Sequence, residues 1–296
     1  MIALIVLTVR YAIVLPFLQA AGVIEPVSTM SLVLFLISIL ATAAAGNIIN
    51  DIADIEIDRI NKPQKMIVGE KVTVETARKA YFALVSVAVI TALLLSYQSK
   101  SFNLFIVIGM VNGLLWFYAQ RYKRQFVIGN VVVAFLGGLL VLVAGLFDLF
   151  FLMKEPISWA KATTVMQMML EVVAVYAVFA FFVSLIRELV KDMEDIKGDE
   201  KTGCRTIPVV LGISVSTYLV WTLQVVLLAM IGWWQLKLFT DGAVAAFGFL
   251  FITDSLLVLS GIQLLGSPKK RELSIVSVLL KLVMLTGILS ILFISL

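Results

Sequence analysis

Long apolar runs alternate with short charged segments along all 296 residues of the chain. A helix that crosses the hydrocarbon core of a bilayer needs about 20 mostly apolar residues. Stretches of this kind lie near residues 2–21, 29–49, 76–97, 101–119, 126–147, 164–187, 209–235, 243–265 and 273–295. The pattern therefore predicts an all-α membrane bundle of nine transmembrane helices, with residues 1–296 forming a single domain.

The distribution of basic residues predicts how the bundle is oriented. Seventeen of the 23 Lys and Arg residues lie in alternate segments, at residues 50–79, 120–125, 187–208 and 266–272. Loops rich in Lys and Arg stay on the cytoplasmic side. We therefore expect an integral protein of a prokaryotic cell membrane, whose net charge of +4 reflects topology and not nucleic-acid binding.

The residue types that are missing narrow the possible chemistry. The chain contains no His, which excludes imidazole bases, His-ligated metals and the usual catalytic triads. Its single Cys204 cannot form an intramolecular disulfide bond. Acid–base chemistry must therefore come from Asp, Glu, Lys or Tyr.

An acidic segment follows the second apolar run. Asn50, Asp54 and Asp58 recur every four residues, so we expect them to form a ladder on one helix face, with the helix ending near Pro63. Mg²⁺ takes oxygen ligands and is commonly shared between carboxylates and a substrate phosphate. The ladder therefore predicts a metal and phosphate site at the membrane edge.

A second acidic segment follows the sixth apolar run, where Asp192, Asp195 and Asp199 repeat the spacing of Asp51, Asp54 and Asp58. Gly198 makes a continuous helix through this segment less favourable. If the two segments meet, their negative charges repel each other in a poorly hydrated pocket. Bound cations would remove that repulsion, so we expect one composite cavity filled by metal ions.

Together the two segments resemble the motifs of the UbiA superfamily of intramembrane prenyltransferases. Asn50, Asp51, Asp54 and Asp58 match the first motif, and the second motif matches at Asp192, Asp195 and Asp199. Nine helices around a central cavity also fit this family. The resemblance covers nearly the whole chain.

The resemblance implies roles for individual residues. The metal ligands would be Asn50, Asp54, Asp58, Asp192, Asp195 and Asp199, which hold Mg²⁺ against a prenyl diphosphate. Asp54, Asp58, Asp195 and Asp199 would be catalytic, while Asn50 and Asp192 would also contact substrate. The remaining substrate contacts would be Tyr118, Lys123, Arg124 and Lys65, where Lys65 replaces an Arg of the family pattern.

One family feature is not matched. The family carries an Arg, followed three residues later by an Asn, at the start of its first helix, whereas Ile13 follows Arg10 here. We expect the missing pair to lie upstream of Met1.

The segment from Asp58 to Pro63 is most similar to the branch of the family that makes archaeal ether lipids and to chlorophyll synthases, and less similar to the quinone branches. This implies transfer of a prenyl group, geranylgeranyl, to the hydroxyl of a membrane-associated glycerol phosphate lipid. Prenylation of an aromatic quinone precursor or a chlorophyll-type acceptor is an alternative. A cation-coupled transporter and a CDP-alcohol phosphotransferase are alternatives of other classes.

The apolar spans contain candidates for a lipid tunnel and for close helix packing. Trp116, Phe117, Phe135, Phe179 and Phe182 are candidate tunnel-lining residues. The pairs Gly109–Gly113 and Gly137–Gly138 could let helices approach closely. Asn112 and Asn130 are expected to hydrogen-bond between helices.

Overall fold

The computed structural model describes residues 1–24, 27–266 and 268–294, except for the side chain of Lys65. Within this part the chain is helical and contains no strand, only an isolated bridge between Val68 and Val72. The helices are α1 (Ile2–Val9), α2 (Leu15–Ala20), α3 (Thr29–Ala53), α4 (Ile55–Asn61), α5 (Val74–Ser99), α6 (Asn103–Gln120), α7 (Ile128–Leu152), α8 (Pro156–Lys201), α9 (Ile207–Thr240), α10 (Val244–Ile262) and α11 (Lys270–Ser290).

Nine helical segments in the described ranges are long and apolar enough to cross a membrane, which confirms the predicted number. The first consists of α1 and α2, joined by a π-helical turn at Arg10–Val14. The last residue of the ninth predicted span, Ser295, lies outside the described part of the chain.

The π-helical turn lies beside a buried ion pair. Arg10 Nε donates to Asp148 Oδ2 at 3.0 Å, and a terminal guanidinium nitrogen reaches the other oxygen at 3.1 Å. Asp148 is fully buried near the end of α7. The guanidinium group of Arg10 also donates to the backbone carbonyl of Val27 at 3.4 Å. This contact connects the segment before α3 to the ion pair.

Helices α7 and α8 pack closely because glycines remove side-chain bulk between them. A Cβ at Gly138 would lie 2.8 Å from the backbone oxygen of Ala177, and one at Gly137 would lie 2.6 Å from Ser184 Oγ. The prediction for this pair is confirmed. The prediction for Gly109 and Gly113 is wrong, since a Cβ at either position meets nothing within 4 Å.

Gly138→Ala is therefore expected to lower the free energy of unfolding by about 1–3 kcal/mol, the usual cost of overpacking a tight contact. The matched control is Gly109→Ala, which adds the same methyl group where a helix has open space. Thermal unfolding of the two variants in detergent measures the difference. Equal unfolding temperatures would contradict the packing argument.

Candidate active site

The two acidic segments meet at one end of the bundle. Asn61, the last residue of α4, donates from its side-chain amide to the carbonyl of Asp195 at 2.9 Å. Its amide oxygen accepts a hydrogen bond from the backbone N–H of Gly198 at 3.0 Å. The ammonium group of Lys62 pairs with Asp195 Oδ2 at 2.7 Å. Three contacts therefore hold the end of the first segment against α8.

The first acidic segment was predicted to lie on one face of a single helix. That prediction is wrong, because the helix is interrupted. Helix α3 ends at Ala53, Asp54 has φ −93° and ψ 1°, and α4 begins at Ile55. The backbone bonds from Asp54 N–H to Asn50 and from Asp58 N–H to Asp54 nevertheless survive at 2.9 and 2.8 Å. The spacing of the ladder is therefore kept across a bend.

The second segment is more regular than expected. Helix α8 continues to Lys201, so Asp192, Asp195 and Asp199 all lie on one uninterrupted helix. Gly198 does not break it. A Cβ at this position would lie 2.4 Å from the side-chain nitrogen of Asn61, so the glycine makes room for the contact between the two segments.

Each predicted aspartate of α8 has a different partner. Asp192 Oδ2 accepts from Asn130 of α7 at 2.7 Å, and Asp199 Oδ2 accepts from the hydroxyl of Thr206 at 3.2 Å. Asp195 Oδ1 is buried and has no hydrogen-bond partner among the residues that the structure describes. A buried carboxylate oxygen that is left unpaired is costly in a protein and is available to a ligand.

Lys123, a residue predicted to bind substrate, contacts the first acidic segment. Lys123, in the short turn between α6 and α7, forms an ion pair with Asp54 and donates to Asn50 Oδ1 at 3.3 Å. Asn50 Nδ2 in turn donates to Asp54 Oδ2 at 2.8 Å. Asp54 is only 6% exposed, so its carboxylate is nearly removed from water, whereas the Lys123 side chain is 24% exposed.

The electrostatics of Asp58 show that the two segments share one environment. Burial raises the pKa of its carboxyl group, and the charge of Asp54 raises the pKa further. Lys62 and Lys123 oppose these effects, while Asp195 from the second segment adds to them. Ionisation of Asp58 therefore lowers the stability of the folded protein when no bound cation neutralises the charge.

This cost predicts a pH-dependent gain of stability in Asp58→Asn. Because the folded pKa lies above the unfolded value, ionisation of Asp58 destabilises the fold as pH rises above about 4. In buffer with a metal chelator, Asp58→Asn should unfold at a higher temperature than the wild type at pH 7. The difference should disappear near pH 3.5. Glu56→Gln, which changes an exposed acid of the same helix, should show no such dependence.

Arg124, another predicted substrate contact, lies apart from this cluster. The side chain of Arg124 is exposed, and its backbone oxygen accepts a hydrogen bond from Arg205 N–H at 3.0 Å. The predicted role of Lys65 concerns a side chain outside the described part of the structure. Tyr118 instead lines the cavity that opens beside Asn50.

The cavity has a volume of about 530 Å³ and runs through the bundle between α1, α3, α6, α7, α8 and α11. Its wall is apolar over most of its length, for example at Ile39, Leu139 and Met284. Of the predicted tunnel aromatics, Phe179 lines it. Trp116, Phe117 and Phe135 have side chains 42%, 49% and 48% exposed on the outside of the bundle, so that prediction is wrong for these three.

Sequence reasoning missed several charged residues at this site. Lys62 was not among the predicted site residues, yet it pairs with Asp195 of the second segment. Arg187, Glu188 and Lys191 line the cavity just ahead of the acidic motif. Their spacing was the signal in the sequence: Arg187 lies one helical turn before Lys191, which lies one turn before Asp195.

The donors present fit Mg²⁺, because carboxylate and amide oxygens from two segments converge and Asp195 Oδ1 lacks a partner. They are not already gathered around a metal. In the described ranges, no three acidic or Cys side chains form a group that could hold one. The metal-filled cavity stays a prediction: the two segments meet, and Lys62 and Lys123 pair with their carboxylates.

Known proteins resemble the chain in sequence and in fold. The UbiA prenyltransferase family model matches residues 11–271. Digeranylgeranylglyceryl phosphate synthase of Methanoculleus marisnigri is 35% identical over 198 residues, covering 67% of this chain and 61% of that protein. The first three such relatives are matched over 61%, 64% and 62% of their lengths, less than two thirds.

Solved structures agree with this result. One described as digeranylgeranylglyceryl phosphate synthase in membranes is 26% identical, with a TM-score of 0.56, covering 90% of this chain and 86% of that chain. A UbiA homolog from Archaeoglobus fulgidus bound to DMAPP and Mg²⁺ shares the fold at 16% identity and a TM-score of 0.54, covering 98% and 96%. The chain, with its helical bundle and two acidic segments, therefore belongs to the UbiA prenyltransferase family.

Proposed function

We propose that this protein transfers a prenyl group, geranylgeranyl, from its diphosphate to the hydroxyl of a glycerol phosphate lipid. The observation that carries the proposal is the meeting of two acidic segments and two lysines beside an apolar cavity. Family membership favours prenyl transfer over the transporter and phosphotransferase alternatives. The relatives named digeranylgeranylglyceryl phosphate synthase support the glycerol phosphate acceptor.

The residues would bind the donor through its diphosphate. Asn50, Asp54 and Asp58 of the first segment would hold Mg²⁺ together with Asp195 and Asp199 of α8. Bound Mg²⁺ would supply positive charge that stabilises the departing diphosphate. In the same process, Lys123 and Lys62 would exchange their carboxylate partners for diphosphate oxygens.

Ionisation of the allylic diphosphate would leave an allylic cation, which the acceptor hydroxyl captures as its proton is lost. Water would destroy this cation, so the reaction needs a site closed to water. The apolar wall of the cavity meets that need and dissolves the prenyl chain. Tyr118 and Asn50 line the cavity where it meets the acidic segments, so the reacting carbon would lie near them.

The test is product formation by the purified protein. It is incubated with geranylgeranyl diphosphate, Mg²⁺ and geranylgeranylglyceryl phosphate, and the products are identified by mass spectrometry. We expect the doubly prenylated ether and release of pyrophosphate, both abolished by a metal chelator. Product formed only with an aromatic acceptor would move the protein to the quinone or chlorophyll branch. Absence of prenyl transfer to any acceptor would refute the proposal.

A further inference from the structure

A group of three charged residues lies in the cavity outside the acidic repeat. Arg187, Glu188 and Lys191 of α8 all line it, together with Tyr118. Arg187 donates to Glu188 Oε1 at 2.8 Å, and Lys191 reaches Glu188 Oε2 at 3.4 Å. We call these three residues the basic triad, since one carboxylate lies between two cations.

The charges of the basic triad do not balance. Glu188 can neutralise only one of the two cations, and its side chain is 8% exposed. Arg187 Nε is buried and has no hydrogen-bond partner in the described part of the chain. Charge in the interior of a membrane protein is costly and usually functional. Taken alone, the basic triad therefore carries one net positive charge, which Asp192 and Asp195 further along α8 partly offset. It also presents one unused N–H donor beside an apolar cavity, which suits an anionic ligand.

The position of Arg187 separates it from the proposed diphosphate site, whereas Lys191 immediately precedes Asp192. Arg187 precedes Asp192 by five residues and Asp199 by twelve, or about 8 and 18 Å along a helix. Helix α8 carries the acidic residues towards its carboxyl end, so the triad lies further into the bundle. A ligand bound there would lie next to the donor's reacting end and not at its diphosphate.

We infer that the basic triad binds the phosphate group of the acceptor lipid. This inference rests on the proposed function, because it assigns the acceptor's anionic group to residues distinct from those of the donor. Arg and Lys bind phosphate oxygens through charge-assisted hydrogen bonds. In a glycerol phosphate lipid the hydroxyl lies only a few bonds from the phosphate. A phosphate on Arg187 and Lys191 would therefore hold the hydroxyl in the part of the cavity that Tyr118 lines.

The inference predicts how the protein discriminates between acceptors. An acceptor without an anionic group would leave the triad's positive charge unpaired in an apolar environment, so it should bind weakly. An aromatic acid could use the same charge through its carboxylate. Three acceptors therefore serve as probes: geranylgeranylglyceryl phosphate, the corresponding dephosphorylated alcohol, and 4-hydroxybenzoate.

The experiment compares the KM of the wild type with that of Arg187→Gln for each acceptor at saturating donor. For the phosphorylated acceptor, we expect Arg187→Gln to raise the KM by about 10- to 100-fold, the size of one charge-assisted hydrogen bond. The KM for the donor and the KM for the dephosphorylated alcohol should stay within about twofold of the wild type. Arg187→Lys should restore most of the lost affinity.

Two further variants make the test specific. Lys191→Gln should give the same selective change and replaces Arg187→Gln if that variant does not fold. Lys237→Gln removes a lysine that pairs with Glu171 towards the other end of α8, so it should leave the acceptor KM unchanged.

The outcomes separate the two proposals. The inference is wrong if Arg187→Gln and Lys191→Gln raise the KM equally for the phosphorylated and the dephosphorylated acceptors, or if they raise the donor KM by as much. It is also wrong if the wild type prefers the alcohol or 4-hydroxybenzoate to the phosphorylated lipid. A wild type that transfers no prenyl group at all refutes the proposed function itself.

Discussion

Asp54→Asn and Asp195→Asn should each lower the rate of prenyl transfer by at least about 100-fold, the usual cost of removing one group that stabilises developing charge. The physical reason is that the amide keeps the shape of the side chain but removes a negative charge that would hold Mg²⁺. Asp54 is 6% exposed and paired with Lys123, while Asp195 keeps one oxygen without a partner. Both effects should appear in turnover and not in folding.

Single-turnover assays with bound donor measure this loss, and thermal unfolding checks that each variant folds. Asp241→Asn is the control, since Asp241 is an exposed acid following the far end of α9. The effects should also be non-additive, because the two carboxylates serve one diphosphate. Wild-type turnover in both single variants would exclude these residues from the reaction.

Gly198→Ala should lower turnover by about 100-fold, because displacement of a catalytic group by about 1 Å has effects of this size. The added Cβ would lie 2.4 Å from the Asn61 side chain, which is bonded to the backbone on either side of it. Asn61 must then move, and α4 with Asp58 and Lys62 moves away from Asp195.

A double-mutant cycle distinguishes this effect from the general cost of a methyl group in a helix. Asn61→Ala alone should cost nearly as much activity, and adding Gly198→Ala to it should change little, since the obstructing side chain has gone. Replacing Gly203, which follows α8 and where a Cβ meets nothing within 4 Å, is not an equivalent control because its φ is +74°. Gly113→Ala, inside a helix and open, is the matched control. Additive losses would show that Asn61 and Gly198 act independently.

Hydropathy was sufficient to predict the number of spans, because each apolar run is long and the charged segments between them are short. It failed where a helix continues beyond the apolar region. The sixth span was expected to end near residue 187, whereas α8 runs to Lys201. The charged residues of this extension lower its hydropathy but not its helix propensity, since Lys, Glu and Asp are tolerated in helices.

The site was predictable as a pattern but not as a set of contacts. Repeated spacing identified Asp54, Asp58 and Asp195 because i, i+4 residues lie on one face. The pairing of Lys62 with Asp195 could not be predicted, because it depends on the bend at Asp54 and on the packing of α4 against α8. Likewise, whether an aromatic residue such as Phe135 faces lipid or the cavity depends on how its helix is rotated about its axis, which composition does not encode.

The Arg10–Asp148 ion pair has a consequence for how the chain is made. The two residues are 138 positions apart, so Arg10 leaves the ribosome long before its partner exists. An arginine at the centre of a lone helix costs about 2.5–3.5 kcal/mol to insert. Until α7 is inserted, the first two spans carry this positive charge without the Asp148 carboxylate. The nascent protein therefore depends on the insertion machinery to retain α1 until the fifth span joins it.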